Sequence, residues 1–366
     1  SNTASSCLIS KRPLLHSHKA GARFRNTWLA RAMRSGRLAL RGNILKFIKK
    51  LAGSKLLVHT ALVFLSVSLT LVGIDLFVGF FEFSNGTGSG AASKRWFERN
   101  WKPVNEFGFR DFQVQNVPKD KRSLFFLGDS FTAGYGVTFH ETYYYITRDA
   151  IKDDMCSFNL GKNGASTIRE KKVYTTFKNK SGITPDYVVH QYFINDIEDY
   201  IKRPRPEPLP PFVRFLSRYS NVFEVIGTMW ITKSFGDRYF ERIKSAYADN
   251  STFTKHIDDI NSIHNMIRSD GANVCFLLFP FLNSKESTAE SSTYLHKVAE
   301  NFLKNCKQGD VLIDVSHHAM ELEQKDKVVS LLDAHPSPTL HKIVAEDLIG
   351  IFSNASIKNA SVSRCF

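Results

Sequence analysis

The chain has 366 residues, with 49 Lys and Arg against 35 Asp and Glu, for a net charge of +14. An excess of that size first suggests a nucleic-acid binder, but 13 of the basic residues fall in positions 1–55, where there is no acid. Beyond residue 55, 36 basic residues face all 35 acidic ones, so the remainder is near neutral and no nucleic-acid partner is expected.

The neighbour of the basic segment explains it. Residues 56–83, LLVHTALVFLSVSLTLVGIDLFVGFFEF, carry only His59 as a strongly polar residue before Asp75. A run of about 20 apolar residues is what a helix needs to cross a bilayer, and this one predicts a transmembrane helix over 56–83. Asp75 lies near the far end, where a carboxylate reaches the interface at tolerable cost. The alternatives are a buried core helix, a cleaved signal peptide and an organellar transit peptide. The length disfavours the first two, and the Lys46–Lys55 cluster abutting the run disfavours the third. With Lys and Arg upstream, residues 1–55 are expected in the cytoplasm and everything after about 84 outside, periplasmic or lumenal. The stretch ILKFIKKLAGSK (44–55) is suited to anionic membrane lipid.

Residues 84–95, SNGTGSGAASKR, predict a linker, drawn over 84–99. From residue 100 the chain alternates apolar runs with helical patterns. Strands are expected at 123–127, 156–160, 186–194, 273–279 and 310–315. Helices are expected near 141–153, 166–178, 253–269, 288–306 and 339–353. Continuous apolar strands separated by helices indicate a parallel sheet covered on both faces, here a three-layer α/β/α domain over 100–355 with a tail at 356–366. Residues 203–250 depart from that rhythm. A Pro-rich RPRPEPLPPF leads into a segment holding Phe212, Phe215, Tyr219, Phe223, Trp230, Phe235, Tyr239 and Phe240. Local core and a lid or acyl-binding wall both fit it.

The five cysteines, Cys7, Cys156, Cys275, Cys306 and Cys365, show no Cys-x-x-Cys spacing. Cys156 and Cys275 fall in apolar strands, and a Cys306–Cys365 bridge is open to a domain outside the cytoplasm. Asn-x-Ser/Thr sequons occur at Asn85, Asn179, Asn250, Asn354 and Asn359.

Open α/β sheets bind ligands beyond the carboxyl ends of their strands. The first three strands end in Gly128-Asp129-Ser130, Gly161-Lys162-Asn163-Gly164 and Asn195-Asp196. A serine hydroxyl needs a base to act as a nucleophile and donors for the oxyanion it creates. LLDAHPSPTLHKIVAEDL (331–348) offers His335 as that base, with Asp333 two residues earlier to orient it. His190, His264, His317, His318 and His341 lack such an acid-and-loop setting, and His341 reads as structural. The N–H groups of Ser130 and Gly164 and the Asn195 amide are the candidate oxyanion donors. Asp129 and Asp196 are expected to brace the loops.

These four blocks resemble those of the SGNH/GDSL hydrolase superfamily: FFLGDSFTAGYGV with Ser130, NLGKNGAST with Asn159 and Gly164, HQYFINDIED with Asn195, and DAHPSPTLHKIVAEDL with His335. NEFGFRD (105–111) is similar to a lead-in of its membrane-anchored members. The resemblance covers about residues 100–352. It implies a flavodoxin-like α/β/α domain that cleaves an acyl or acetyl ester of a carbohydrate or lipid through an acyl-enzyme, with no metal or organic cofactor. O-acyl transfer to a cell-envelope glycan, or a catalytically silent scaffold that binds glycan or protein, are the other activities it admits. Two positions depart from the family pattern. Phe193 stands where a glycine is usual, and the acid lies two rather than three residues before His335.

Overall fold

The computed structural model describes residue 46 and residues 55–80, 84, 91–202, 207–353 and 361–365. Most of the basic segment, Cys7, the start of the Pro-rich stretch and the sequons at 85, 354 and 359 lie outside the described residues. The chain divides into two compact units, Ser1–Val72 and Gly73–Phe366. In the first, helix α1 (Lys55–Phe80) begins; it continues unbroken into the second. Its span Leu57–Phe80 is long and apolar enough to cross a membrane.

The second unit continues with α2 (Ala91–Asn100), β1 (Arg122–Leu127), α3 (Ser130–Ala133), α4 (Tyr143–Ile151), β2 (Met155–Asn159), α5 (Thr167–Ser181) and β3 (Tyr187–Phe193). A 3-10 stretch (Ile194–Tyr200) leads to α6 (Pro211–Leu216), α7 (Asn221–Ala248), α8 (Asn250–Ser269), β4 (Asn273–Phe279), α9 (Lys285–Asn305) and β5 (Val311–Asp314). After these come α10 (Ser316–Glu321), α11 (Gln324–Lys327), β6 (Val328–Ser330), β7 (Asp333–Pro336), α12 (Pro338–Phe352) and β8 (Val362–Arg364).

The main sheet has the order β2-β1-β3-β4-β5-β8. Its first five strands are parallel, in the 2-1-3-4-5 order of doubly wound sheets, and β8 closes the edge antiparallel to β5. Side chains alternate between faces along a strand. Phe125 and Leu127 of β1 therefore join Phe158, Tyr174, Phe177 and Ile263 on one face, under α5, α8 and α9. Leu124 and Phe126 join Tyr143, Tyr144, Val344 and Leu348 on the other, under α4 and α12. Both layers are filled by large apolar and aromatic side chains, which is why the strands read as continuous hydrophobic runs.

Two expectations need correction. The linker drawn over 84–99 contains α2, whose Ala92, Ser93 and Trp96 are buried. Helix-forming residues follow the last glycine of that stretch, and Glu224 of α7 accepts from the N–H groups of Ala92 (2.8 Å) and Ser93 (3.2 Å), capping the helix from outside its own sequence. The tail at 356–366 supplies β8, and Cys365 is bonded to Cys306. Within 203–250, Phe212 and Phe215 lie on α6, Tyr219 on the turn after it, and the remaining aromatic residues on the 28-residue α7, started by Ser220, whose hydroxyl accepts from the N–H of Phe223.

Candidate active site

The switch point in the sheet order lies between β1 and β3, so the residues leaving these strands flank one crevice. After β1 the chain turns at once into α3. The Asp129 carboxylate accepts from the N–H of Phe131 at 2.8 Å, and Gly134 ends the helix in the left-handed region at φ 72°. Ser130 is therefore the first residue of a one-turn helix at the strand exit. Gly128 permits this bend against β3. A Cβ there would stand 2.2 Å from Thr132 Oγ1 and 2.4 Å from Gln191 Oε1. Gln191 Oε1 accepts from the Asp129 N–H (3.1 Å) and from the Thr132 hydroxyl (2.9 Å), tying the turn to the neighbouring strand.

His335 comes from the other side of the chain, on the hairpin of β6 and β7. Residues i and i+2 of a strand share a face, so Asp333 sits beside His335 although it is only two residues away. Asp333 Oδ1 lies 2.5 Å from His335 Nδ1, and His335 Nε2 lies 2.9 Å from Ser130 Oγ. The Ser84 hydroxyl donates to the remaining oxygen, Asp333 Oδ2. Gly136, at φ 86°, lets the chain pass this carboxylate; a Cβ there would stand 3.0 Å from Asp333 Oδ2 and 2.7 Å from Val329 Cγ2.

Burial opposes charge at Asp333, but the adjoining His335 cation and the hydrogen bonds from His335 and Ser84 outweigh it and hold the carboxyl below its ordinary value. Burial likewise opposes the His335 cation; the charge and hydrogen bond of Asp333, with a smaller contribution from Asp129, raise the imidazole above its ordinary value. Tyr135 lies nearly parallel to the imidazole, ring centroids 4.6 Å apart at 27°, and Phe131 meets it edge-on at 5.5 Å.

Ser130, His335, Asp333 and Asn195 all line one cavity of about 650 Å3. Its apolar wall comes from Phe131, Phe193, Ile231, Phe235, Phe240 and Phe281. Phe193 packs on Phe131 at 4.4 Å, beside the serine. Gly164, by contrast, is not among the residues lining this cavity. It sits in the loop after β2 at φ 65°, with open space where a Cβ would be. Asp129 and Asp196 are both buried. Asp196 Oδ2 accepts from the Phe193 N–H at 3.1 Å, as Asp129 does from Phe131. Burial pushes the Asp129 carboxyl up to about 7, aided by the charge of Glu170, and raises that of Asp196 well above the usual range.

Several contributors escaped the sequence reading. Arg110 is buried, and its guanidinium donates to the carbonyls of Asn100 (2.7 Å), Ala133 (3.3 Å), Gly134 and Val137 (2.9 Å). It therefore holds the turn that follows Ser130. Asp111 accepts from the Tyr144 hydroxyl (2.6 Å) and the Asn159 N–H (3.0 Å), and the Asn159 amide donates to the carbonyls of Arg110 (3.1 Å) and Thr132 (3.3 Å). The Phe-Arg-Asp of 109–111 and Asn159 were visible in the sequence, but not that they join in this brace. Ser84 left no signal.

The histidines outside the site have partners of their own. His190 has an acid partner, Glu170, at 3.0 Å, and lies 2.9 Å from His264; His318 bonds Asp347 at 2.9 Å. His190 and His264 are buried inside the α5–α8 layer and no contact joins them to Ser130. His341 is buried too, and its Nδ1 accepts from the Tyr143 N–H at 3.1 Å.

No family model matches the chain, and no curated protein matches it. Among solved structures it is similar to a protein described as TesA (TM-score 0.42, 11% identity, 64% of this chain and 100% of that one). It is also similar to a member of the lipolytic protein G-D-S-L family from Veillonella parvula (0.36, 17%, 63% and 98%). A third is an acetylxylan esterase, Axe2, from Geobacillus stearothermophilus (0.39, 13%, 63% and 94%). Several of the solved structures to which this chain is similar are described as lipolytic proteins of the G-D-S-L family, an acetylxylan esterase or a carbohydrate acetylesterase family member.

Proposed function

We propose that the protein is a serine-dependent ester hydrolase working through an acyl-enzyme. The observation that carries this is the unbroken line from Asp333 through His335 to Ser130, 2.5 and 2.9 Å, opening into a cavity that has apolar walls. Ser130 Oγ attacks the ester carbonyl and its proton passes to His335 Nε2, while Asp333 fixes the ring and offsets the cation that forms. The tetrahedral oxyanion is met by the Ser130 N–H at the start of α3 and by the Asn195 amide. The Gly164 N–H is assigned the third position. His335 returns the proton to the leaving alkoxide. Water then gives a proton to His335 and attacks the acyl carbon; the bond to Ser130 Oγ breaks, His335 returns the proton to that oxygen, and the acid leaves with Ser130 restored. The acyl group rests against Phe131, Phe193 and Phe281.

The helix α1 is read as a single membrane anchor, with the basic segment on the cytoplasmic side and the site outside. The Cys306–Cys365 bond supports this placement, because disulfides persist in oxidising compartments. A fluorophosphonate probe tests the reading. It is expected to label the wild-type chain and leave Ser130→Ala unlabelled; an unlabelled wild type would favour a silent scaffold.

A further inference from the structure

Asp75 is the one acid in the otherwise apolar span Leu57–Phe80, and it is not left to the lipid. Its carboxylate accepts from the Ser220 hydroxyl (2.5 Å), the Asn221 amide (3.2 Å) and the Val222 N–H (3.1 Å), and its carbonyl accepts from the Asn221 amide at 3.0 Å. These donors form the N-terminus of α7, where the helix dipole favours an anion. Arg95 of α2 closes the cluster, donating to Asn221 Oδ1 at 2.7 Å and to the Gly79 carbonyl at 3.4 Å. The start of α7 is thereby fixed to the last turns of α1, and stands at the depth of that end of the apolar helix.

The elements held there are themselves amphipathic. On α6 and the turn after it, Phe212, Phe215 and Tyr219 are 64%, 58% and 72% exposed. On α7, Ile226, Met229 and Trp230 are 43%, 58% and 45% exposed, at the i, i+3, i+4 spacing of one helix face. Single exposed apolar residues need no explanation, but six large ones on two consecutive helices and the turn between them do. Residues 208–223 contain Arg214 and Arg218 and no acid, and the one acid in the first half of α7, Glu224, is buried against the start of α2 and does not reach this surface. Aromatic rings, aliphatic side chains and arginines without acids form the composition of a helix lying in the bilayer interface. There the rings sink to the acyl boundary and the guanidiniums reach the phosphates.

We propose that α6 and the first half of α7 lie in the bilayer interface beside the outer end of α1, as a second membrane-bound element. This rests on reading α1 as a membrane helix. The same α7 continues into the wall of the catalytic cavity through Ile231, Thr232, Phe235 and Phe240. One helix therefore joins the lipid-facing surface to the mouth above Ser130, so an ester resident in the membrane has a short path to the serine.

The test uses the full chain in phosphatidylcholine vesicles, with Cys7→Ser and Cys156→Ser as background and an environment-sensitive fluorophore on one introduced cysteine. The positions are Phe215→Cys and Met229→Cys on the proposed surface, Leu65→Cys inside α1, and Glu300→Cys on exposed α9. Folding of each variant is checked by circular dichroism. When brominated phosphatidylcholine replaces the ordinary lipid, the labels at 215, 229 and 65 are expected to lose at least about half of their emission, and the label at 300 none. Quenching at 65 but not at 215 and 229 would overturn the proposal and leave the anchor standing; a second copy or a protein partner covering this face would give that pattern. Quenching at 215 and 229 but not at 65 would support the interfacial element while refuting α1 as a span. No quenching at any position, or equal quenching at 300, would overturn both.

Discussion

The Tyr135 ring lies on the His335 imidazole, with centroids 4.6 Å apart and planes 27° from parallel. Behind it stand Phe97 at 5.2 Å and Trp96 at 5.9 Å, both from α2, so a helix outside the sheet supports the ring that supports the base. An aromatic face attracts the imidazolium formed during the reaction, by about 0.5–2 kcal/mol. Tyr135→Phe is expected to keep ester hydrolysis within about twofold of wild type. Tyr135→Leu should lower kcat by about tenfold and shift the pH profile to lower pH.

Asp333 and its neighbours raise the affinity of His335 for its proton, and the ring accepts the serine proton only when neutral. Acylation should therefore rise with pH with a midpoint above 6.5, the ordinary imidazole value. In Asp333→Asn the midpoint should move down and the rate fall by about 10²–10⁴-fold, read from p-nitrophenyl acetate release. Ser84→Ala should produce a smaller loss in the same direction, since one carboxylate oxygen loses its donor.

Asp129 concerns stability more than rate. Burial raises its folded value to about 7 from an ordinary 3.8, so the folded state keeps a proton that the unfolded state gives up. Its contribution is full below pH 3.8 and is lost as pH climbs to about 7. Asp129→Asn keeps an acceptor for the Phe131 N–H but does not titrate. Its thermal midpoint should gain on wild type between pH 5 and 7, and equal slopes would refute the assignment.

Arg110 is a buried cation whose donors serve four backbone carbonyls around the turn after Ser130. Burial lowers its value to about 10, which leaves it charged at neutral pH. Arg110→Met strips those carbonyls of their donor and should cost at least about 3 kcal/mol in urea unfolding. Loss of activity in the fraction that folds would follow from movement of Ser130.

Phe193 stands at the cavity wall and packs on Phe131 at 4.4 Å and on Phe281 at 5.4 Å. Phe193→Gly should open room beside the serine and shift preference toward longer or bulkier acyl groups, measured as kcat/KM across p-nitrophenyl esters from C2 to C12. An unchanged profile would place the acyl group elsewhere.

The sheet was legible because buried parallel strands such as 123–127 and 273–279 must be apolar on both faces, and so interrupt the helical rhythm visibly. Short edge strands leave no such trace. β8 has three residues, two of them exposed, and its place depends on pairing with β5 and on the Cys306–Cys365 bond. Helix α2 was hidden because its cap is Glu224, 132 residues from Ala92. Within the candidate site, Ser130 and Asn195 stood out because each follows a continuous apolar strand, and His335 because an acid and a proline flank it in sequence. Arg110 and Ser84 did not, because their roles are set by carbonyl and carboxylate groups that only folding brings near them.

The central claim is that Ser130 becomes covalently acylated, and the direct measurement is the mass of the intact chain after rapid acid quench with p-nitrophenyl acetate. The account predicts one added acetyl group, mapped to the peptide containing Ser130, present in His335-intact protein and absent in Ser130→Ala. Ester turnover that continues in Ser130→Ala, or an acetyl group mapped to another residue at wild-type rate, would contradict it.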